Sequence, residues 1–248
     1  MSQQVKITTD GMKLSSSSFI HYTSKIEAVE SILERGFNVY YCLEEVYCSG
    51  DIKHIGIPMV SFCDIPLVHV AANNYGHYAF GMSRSWGIRQ HLLPVSYYPN
   101  NKGCLSTLVV KRASAAYIDN KGDFEILGYS KPMYKLQNQS KRKNNNYKER
   151  EWRKVYAPNS SYKWKSESEY REYRGDEDTD KKKVGKPLKF NVKDIDFILV
   201  PNIDVSSIVS CIKKLKHVGG NSGKQLSEGD KDLLLAKILS YDNLIKNL

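Results

Sequence analysis

The sequence predicts an α+β fold, in which short strands and amphipathic helices share one core. The chain has 248 residues, of which 41% are hydrophobic and 26% are charged, as is typical of a globular protein. Short apolar runs at residues 57–63 and 195–200 predict buried strands. Apolar residues at helical spacing in residues 25–35 and 204–217 predict helices that pack on those strands.

The best-marked element is a helix from about Lys25 to Arg35. Ser24 and Glu27 have the spacing of a capping box, which predicts the start of the helix. Gly36 stands where a left-handed residue would end it.

The other elements follow in chain order from β-propensity, periodicity and turn residues. Extended segments are predicted at residues 19–22, 37–43, 57–63, 78–82, 95–98, 147–156 and 195–200. Helices are predicted at residues 83–90, 204–217 and 230–248, and residues 66–75 and 105–116 could also be helical.

We expect a single domain over residues 1–218. A glycine-rich linker at 219–223 and a C-terminal helix follow it, and that helix packs on the body or binds a partner. Residues 137–146 form a basic, low-complexity loop. Residues 160–187 are rich in both charges and poor in aliphatic side chains, which predicts a solvated, partly disordered insertion.

Several function classes are disfavoured. No run of about 18 apolar residues predicts a membrane span, and no signal peptide is visible, so we expect a cytoplasmic protein. The five cysteines are odd in number and lack a C-x-x-C pair, which fits a reducing compartment. Glycine-rich nucleotide-binding motifs and standard zinc spacings are missing, so no metal is expected.

Positive charge is concentrated in one part of the chain. The net charge is +10, and residues 131–154 hold nine lysines and arginines against two glutamates. This stretch is either a solvated basic loop or a patch that faces phosphates. In the second case, the candidate nucleic-acid-binding residues are Lys141, Arg142, Lys143, Lys148 and Arg150.

Two carboxylates follow this basic stretch. On a strand, Glu149, Glu151 and Arg153 would share one face, while Arg150 and Trp152 would share the other. Two carboxylates at this spacing repel each other. They therefore either form surface salt bridges, or bind a ribose hydroxyl and stabilise a cationic transition state.

Four separated blocks resemble the AbiGi abortive phage infection family, which is labelled as an antitoxin. The blocks are HYTSKIEAVESILERGFNVYYCLEE, IPMVSFCDIPL, YGHYAFGMSRSWGI with LPVSYY, and EREWR. The resemblance spans roughly residues 19–215. The same layout is similar to ADP-ribosyltransferases of the DarT and RNA 2′-phosphotransferase kind, which have a histidine on the first strand and a glutamate on a late strand.

The second resemblance implies a split, curved antiparallel sheet of ADP-ribosyltransferase-like type with peripheral helices. It also implies that NAD is a substrate and that His21, Ser61 and Glu151 approach one cleft. The catalytic residues implied are Glu151, Glu149 and His21. The NAD-binding residues implied are His21, Tyr22, Thr23, Ser61 and Tyr78.

Two functions follow as hypotheses. The first is an NAD-dependent ADP-ribosyltransferase that modifies nucleic acid during phage defence. The second is a non-enzymatic antitoxin or regulator that binds a toxin of the same defence system.

Overall fold

A computed structural model describes residues 16–48, 51–67, 76–99, 124–133, 146–157, 163–175, 183–223 and 225–246. In these residues the chain forms a nine-stranded sheet, a two-stranded sheet and peripheral helices. The α+β prediction is therefore confirmed. No helix in the described ranges is long and apolar enough to cross a membrane.

The described strands are β1 Ser18–Thr23, β2 Tyr40–Cys48, β3 Asp51–Cys63, β4 Tyr78–Ser83, β5 Leu93–Pro94, β6 Ser96–Tyr98, β7 Ser130–Pro132, β8 Glu151–Val155, β9 Lys165–Ser166, β10 Ile195–Val200 and β11 Ile238–Ser240. The α-helices are α1 Ile26–Arg35, α2 Arg84–Arg89, α3 Phe124–Gly128, α4 Glu167–Gly175, α5 Val205–Lys214, α6 Glu228–Leu235 and α7 Tyr241–Lys246. Short 3-10 helices occupy Asn146–Glu149, Val192–Asp194 and Asn202–Asp204.

The large sheet divides along β3. Its strand order is β11-β10-β4-β1-β3-β8-β5, and β2 and β9 also pair with β3. One edge of β3 pairs first with β2 and then, at Cys63, with β1. The other edge pairs first with β9 and then, from Met59 onward, with β8. All neighbours are antiparallel except β10 and β11, so the large sheet is mixed.

Successive side chains of each strand point to opposite faces of this sheet. On the first, here called the α1 face, Phe19, Phe62 and Phe80 join the core that also buries Val29 of α1 and Ile208 of α5. The opposite face holds two smaller apolar clusters. The first includes Ile20, Ala79 and Leu199, and the second includes Ile55, Ile57 and Trp164.

Helix α1 begins differently from the capping prediction and ends at Gly36 as predicted. Its N-cap is Lys25, with no side-chain cap, so the predicted capping box at Ser24 is wrong. Gly36 ends the helix with φ +82, and its amide donates to Ile32 O. A side chain at Gly36 would collide with the carbonyl of Leu188, which explains the glycine there.

The first two residues of the predicted linker, Gly219 and Gly220, pack against the end of α1, while Ser222 and Gly223 are exposed. Gly219 and Gly220 have positive φ, and their amides donate to the carbonyls of Leu33 and Glu34. These are carbonyls that the last turn of α1 leaves without a helical partner.

The prediction of one C-terminal helix is also wrong. Ser227 and Asp230 form a capping box, and α6 ends at Leu235. Strand β11 then pairs in parallel with β10, and α7 follows. Pairing to β11 covers a strand edge that would otherwise expose its backbone groups. The proposed division of the chain at residue 218 stays a prediction.

Parts of the charged insertion form regular structure. Its described residues include β9 and α4, and Trp164 is buried with its indole N–H donating to Tyr156 O. The possible helix at 105–116 lies outside the described residues, as do most of the possible helix at 66–75 and all of the basic loop except Asn146.

Candidate functional site

A fully buried arginine lies at the centre of the candidate site. Arg153 projects from β8 on the face opposite α1, and its side chain is 0% exposed. Its Nε and Nη2 donate to the two carboxylate oxygens of Glu151 at 2.7 and 2.9 Å. Nη2 also donates to Glu44 Oε2 at 2.8 Å, and Nη1 donates to Gly128 O at 3.0 Å. The guanidinium therefore makes the bidentate pairing that suits arginine and carboxylate.

A lysine joins the two predicted catalytic carboxylates. Lys131 Nζ, from β7, lies 2.6 Å from Glu149 Oε2 and 2.9 Å from Glu151 Oε2. Glu149 belongs to a 3-10 turn and not to β8, so the predicted alternation of Glu149 with Glu151 along one strand is wrong. The two carboxylates still meet, because Lys131 bridges them.

The charges of this network stabilise each other. Burial by itself would raise the pKa of Glu151, but the charges of Arg153 and Lys131, with hydrogen bonds from Arg153 and Ser61, lower it to about 2. Burial by itself would lower the pKa of Lys131 and Arg153, but the neighbouring carboxylates raise both. Glu151, Lys131 and Arg153 are thus held in their charged forms at neutral pH.

Beside this network lies a cleft of about 440 Å³, here called the acidic cleft. Residues of β2, β3, β7, α4 and the 3-10 turn before β8 line it. Its charged residues are Glu44, Glu45, Glu149, Glu167, Lys131 and Arg171. A larger cavity, of about 730 Å³, lies between α1 and α5 and contains none of the predicted site residues.

His21 lies on the other face of the sheet. Its ring packs against Phe37 and Phe62 on the α1 face, and its Nδ1 donates to Ser61 O at 2.8 Å. Burial lowers the pKa of His21, and the hydrogen bond to Ser61 opposes that effect only in part. His21 is therefore a neutral imidazole with an aromatic environment.

The predicted meeting of His21 with Glu151 in one cleft is wrong. Ile20, and not His21, pairs with Cys63 of β3, and Cys63 pairs with Glu151 of β8. Paired residues of neighbouring strands share a face. Glu151 consequently shares the face of Ile20, while His21 points to the α1 core.

The other predicted NAD-binding residues are divided in the same way. Thr23 pairs with Tyr78 on the α1 face, and the Tyr78 hydroxyl donates to Asp204 Oδ2 at 2.5 Å. That hydrogen bond raises the pKa of Tyr78 to about 12. Tyr22 lies on the opposite face, and burial raises its pKa. Ser61 is on that face as well, and it is the member of the set that contacts Glu151.

The predicted nucleic-acid residues are only partly described. Lys141, Arg142 and Lys143 lie outside the described residues. Lys148 is exposed on the 3-10 turn. Arg150, with φ +42, links that turn to β8, and its Nη2 lies 3.9 Å from Asp64 Oδ2.

Sequence reasoning missed Glu44, Lys131 and Asn146. A signal existed for Glu44, which interrupts the apolar alternation of Cys42 and Val46 on one face of β2. Lys131 and Asn146 carry no local pattern, because the fold brings them to β8 from either side of a long connection.

Metal and thiol chemistry find little support in the described ranges. They contain no group of three or more His, Cys, Asp or Glu residues arranged to hold a metal ion. Cys42 and Cys63 are free thiols, and burial raises the pKa of each to about 12. Both therefore stay protonated and weakly nucleophilic at neutral pH.

Comparison with known proteins identifies the family. The family model described as "Putative abortive phage resistance protein AbiGi, antitoxin" matches residues 35–201, more than half of the chain. The "Abortive phage resistance protein AbiGi" of Lactococcus lactis subsp. cremoris is 27% identical over 235 aligned residues, covering 78% of this chain and 89% of the relative. No solved structure matches the chain. The chain therefore belongs to the AbiGi family of abortive phage resistance proteins.

Proposed function

We propose that this protein serves anti-phage defence as an antitoxin, which neutralises a toxin of the same system by binding it. The family description, which contains the word antitoxin, supports a toxin partner. The observation that carries the choice of binding over catalysis is the pairing of Glu151. Both of its oxygens accept from Arg153, and one of them also lies next to Lys131.

An ADP-ribosyltransferase would need Glu151 to contact a ribose hydroxyl. Glu151 already accepts from Arg153 twice and from Lys131 and Ser61, so a ribose hydroxyl would have to displace one of these donors. Breaking a buried pair by removing one partner typically costs about 3–5 kcal/mol. The His21 imidazole, which would hold NAD, faces the α1 core on the other side of the sheet.

One feature supports the transferase hypothesis. The sheet divides along β3, and this division resembles the split sheet expected of an ADP-ribosyltransferase-like fold. The NAD and nucleic-acid predictions stay predictions. They are tested by incubating the purified chain with labelled NAD and nucleic acid and measuring nicotinamide release and transfer of label.

The antitoxin proposal is tested in cells. The chain is co-expressed with each protein encoded beside it in the same defence locus, and growth is measured. We expect one neighbour to arrest growth alone and the chain to restore it, with no nicotinamide released by the purified chain. The proposal fails if no neighbour is toxic, or if the chain itself arrests growth and consumes NAD.

A further inference from the structure

The acidic cleft holds a buried acceptor that nothing in the described part of the chain satisfies. Asn146 lines the cleft and is 3% exposed. Its Nδ2 donates to Pro132 O at 2.9 Å and its backbone amide donates to Met133 O at 2.8 Å, which fixes the orientation of the residue. Its Oδ1 has no hydrogen-bond partner among the described residues. A buried acceptor without a donor costs free energy, so the site favours a ligand that donates.

The charge of the cleft points to a cationic ligand. Four carboxylates and two cations line it, which leaves two negative charges in excess when His54 is neutral. The whole chain, by contrast, carries +10. Arg153 and Glu151, which lie next to the cleft, cancel each other. A positive group would therefore be attracted to this cleft and repelled by much of the remaining surface.

The arrangement of the N–H donors on a cationic ligand decides which kind of cation fits the cleft. Lys131 Nζ already contacts Glu149 Oε2, so a ligand must use the acceptor sites of the cleft that remain. A guanidinium spreads its charge over a plane, is weakly hydrated and has five N–H donors. Such a group suits a cleft that offers the carboxylates of Glu149 and Glu45 together with the neutral Oδ1 of Asn146.

We propose that the acidic cleft is a recognition site for a guanidinium group. This inference rests on the proposed antitoxin function for the identity of its occupant, which is an arginine side chain presented by the toxin. A cleft of about 440 Å³ lies within the range of ligand-binding pockets and is large enough for such a side chain.

The site is tested by NMR titration of the ¹⁵N-labelled full chain with L-arginine amide. L-citrulline amide, which has nearly the same shape without the charge, is the matched probe. We expect arginine amide to shift the backbone amides of Asn146 and Glu149 and to bind at least about tenfold more tightly than citrulline amide. Equal binding of the two probes, or shifts confined to other surfaces, would overturn the site.

Variants locate the binding. Glu149→Gln and Glu45→Gln should each weaken arginine amide by roughly tenfold, because each removes one charged acceptor. Glu30→Gln removes a carboxylate from the cavity between α1 and α5 and should leave the affinity unchanged. Unaltered binding by both cleft variants, with their folding checked by thermal melting, would overturn the assignment.

The same variants separate this inference from the antitoxin proposal. If the chain binds arginine amide but neutralises no toxin, the guanidinium site is supported and the antitoxin function is contradicted. If the chain neutralises a toxin but does not bind arginine amide, the antitoxin function is supported and the guanidinium site is contradicted. If the probe binds but the double variant Glu45→Gln/Glu149→Gln still neutralises fully, a toxin arginine is not the occupant.

Discussion

Ile20 of β1 lies directly opposite Cys63 of β3, and this one pairing decides which predicted residues share a face of the sheet. It places Cys63 and Glu151 together on the face opposite α1, and His21 beside Phe62 on the other. A slip of one residue would move His21 to the face of Glu151, but it would also move Phe19 out of the core. Burial of the aromatic side chains thus opposes the arrangement that an NAD site would need.

Removal of Arg153 should strongly destabilise the fold. Arg153→Met leaves Glu151 and Glu44 without their buried cation, so we expect the free energy of unfolding to fall by about 3–5 kcal/mol. Urea denaturation measures this loss. Arg171→Met is the matched control, since the Arg171 side chain is 74% exposed, and its effect should stay within about 0.5 kcal/mol. Equal effects of the two substitutions would contradict the structural role of the network.

The pairing of Glu151 should make stability dependent on acid. The pKa of Glu151 falls from an ordinary 4.5 to about 2 on folding, so the folded chain binds fewer protons than the unfolded chain between these values. The resulting stabilisation is complete above about pH 4.5 and is lost as the pH falls toward 2. Glu151→Gln lacks this contribution, so the stability difference between wild type and variant should narrow steadily in acid. A difference that is constant with pH would contradict the prediction.

The C-terminal segment should contribute to the main core. Leu234 of α6 is 0% exposed, while its neighbour Leu233 is 56% exposed. Leu234→Ala should cost about 2–5 kcal/mol because it leaves a cavity in the core, and Leu233→Ala should cost little. Chemical denaturation distinguishes the two. If Leu234→Ala is as mild as Leu233→Ala, residues 219–248 do not fold together with the rest of the chain.

His21 should remain neutral as the pH falls below the ordinary histidine pKa of about 6.5. The folded chain then binds fewer protons than the unfolded chain, so stability decreases from about pH 6.5 downward. Long-range ¹H–¹⁵N spectra of the ring should show the Nδ1–H tautomer, because Nδ1 donates to Ser61 O. An Nε2–H tautomer, or protonation at the pH typical of an unfolded peptide, would contradict the assignment.

Local patterns predicted the elements whose boundaries depend on nearby residues. Strand β10 spans residues 195–200 as predicted, because the apolar run from Phe197 to Val200 needs burial on both faces. Helix α1 was predicted to within a residue, since its apolar stripe and the following Gly36 are both local. Strand β3 begins at Asp51, earlier than predicted. Its first residues pair with β2, and the predicted extended segment there ended at residue 43.

The candidate site was harder to predict because tertiary register and backbone geometry determine it. Arg150 adopts φ +42, which breaks the alternation between Glu149 and Glu151 that a continuous strand would have produced. Lys131 then restores the contact between the two carboxylates from a different part of the chain. The prediction of a single C-terminal helix was wrong for a similar reason. Some of its apolar residues form strand β11, which pairs with the edge of β10.

The central claim, that this protein acts by binding a toxin, is tested most directly by size-exclusion chromatography with light scattering on the purified chain mixed with the toxic neighbour. We predict a stable complex of defined stoichiometry in which the activity of the toxin is suppressed, formed equally well with and without NAD. Separate elution of the two proteins at micromolar concentration, together with release of nicotinamide from NAD that Glu151→Gln abolishes, would contradict it.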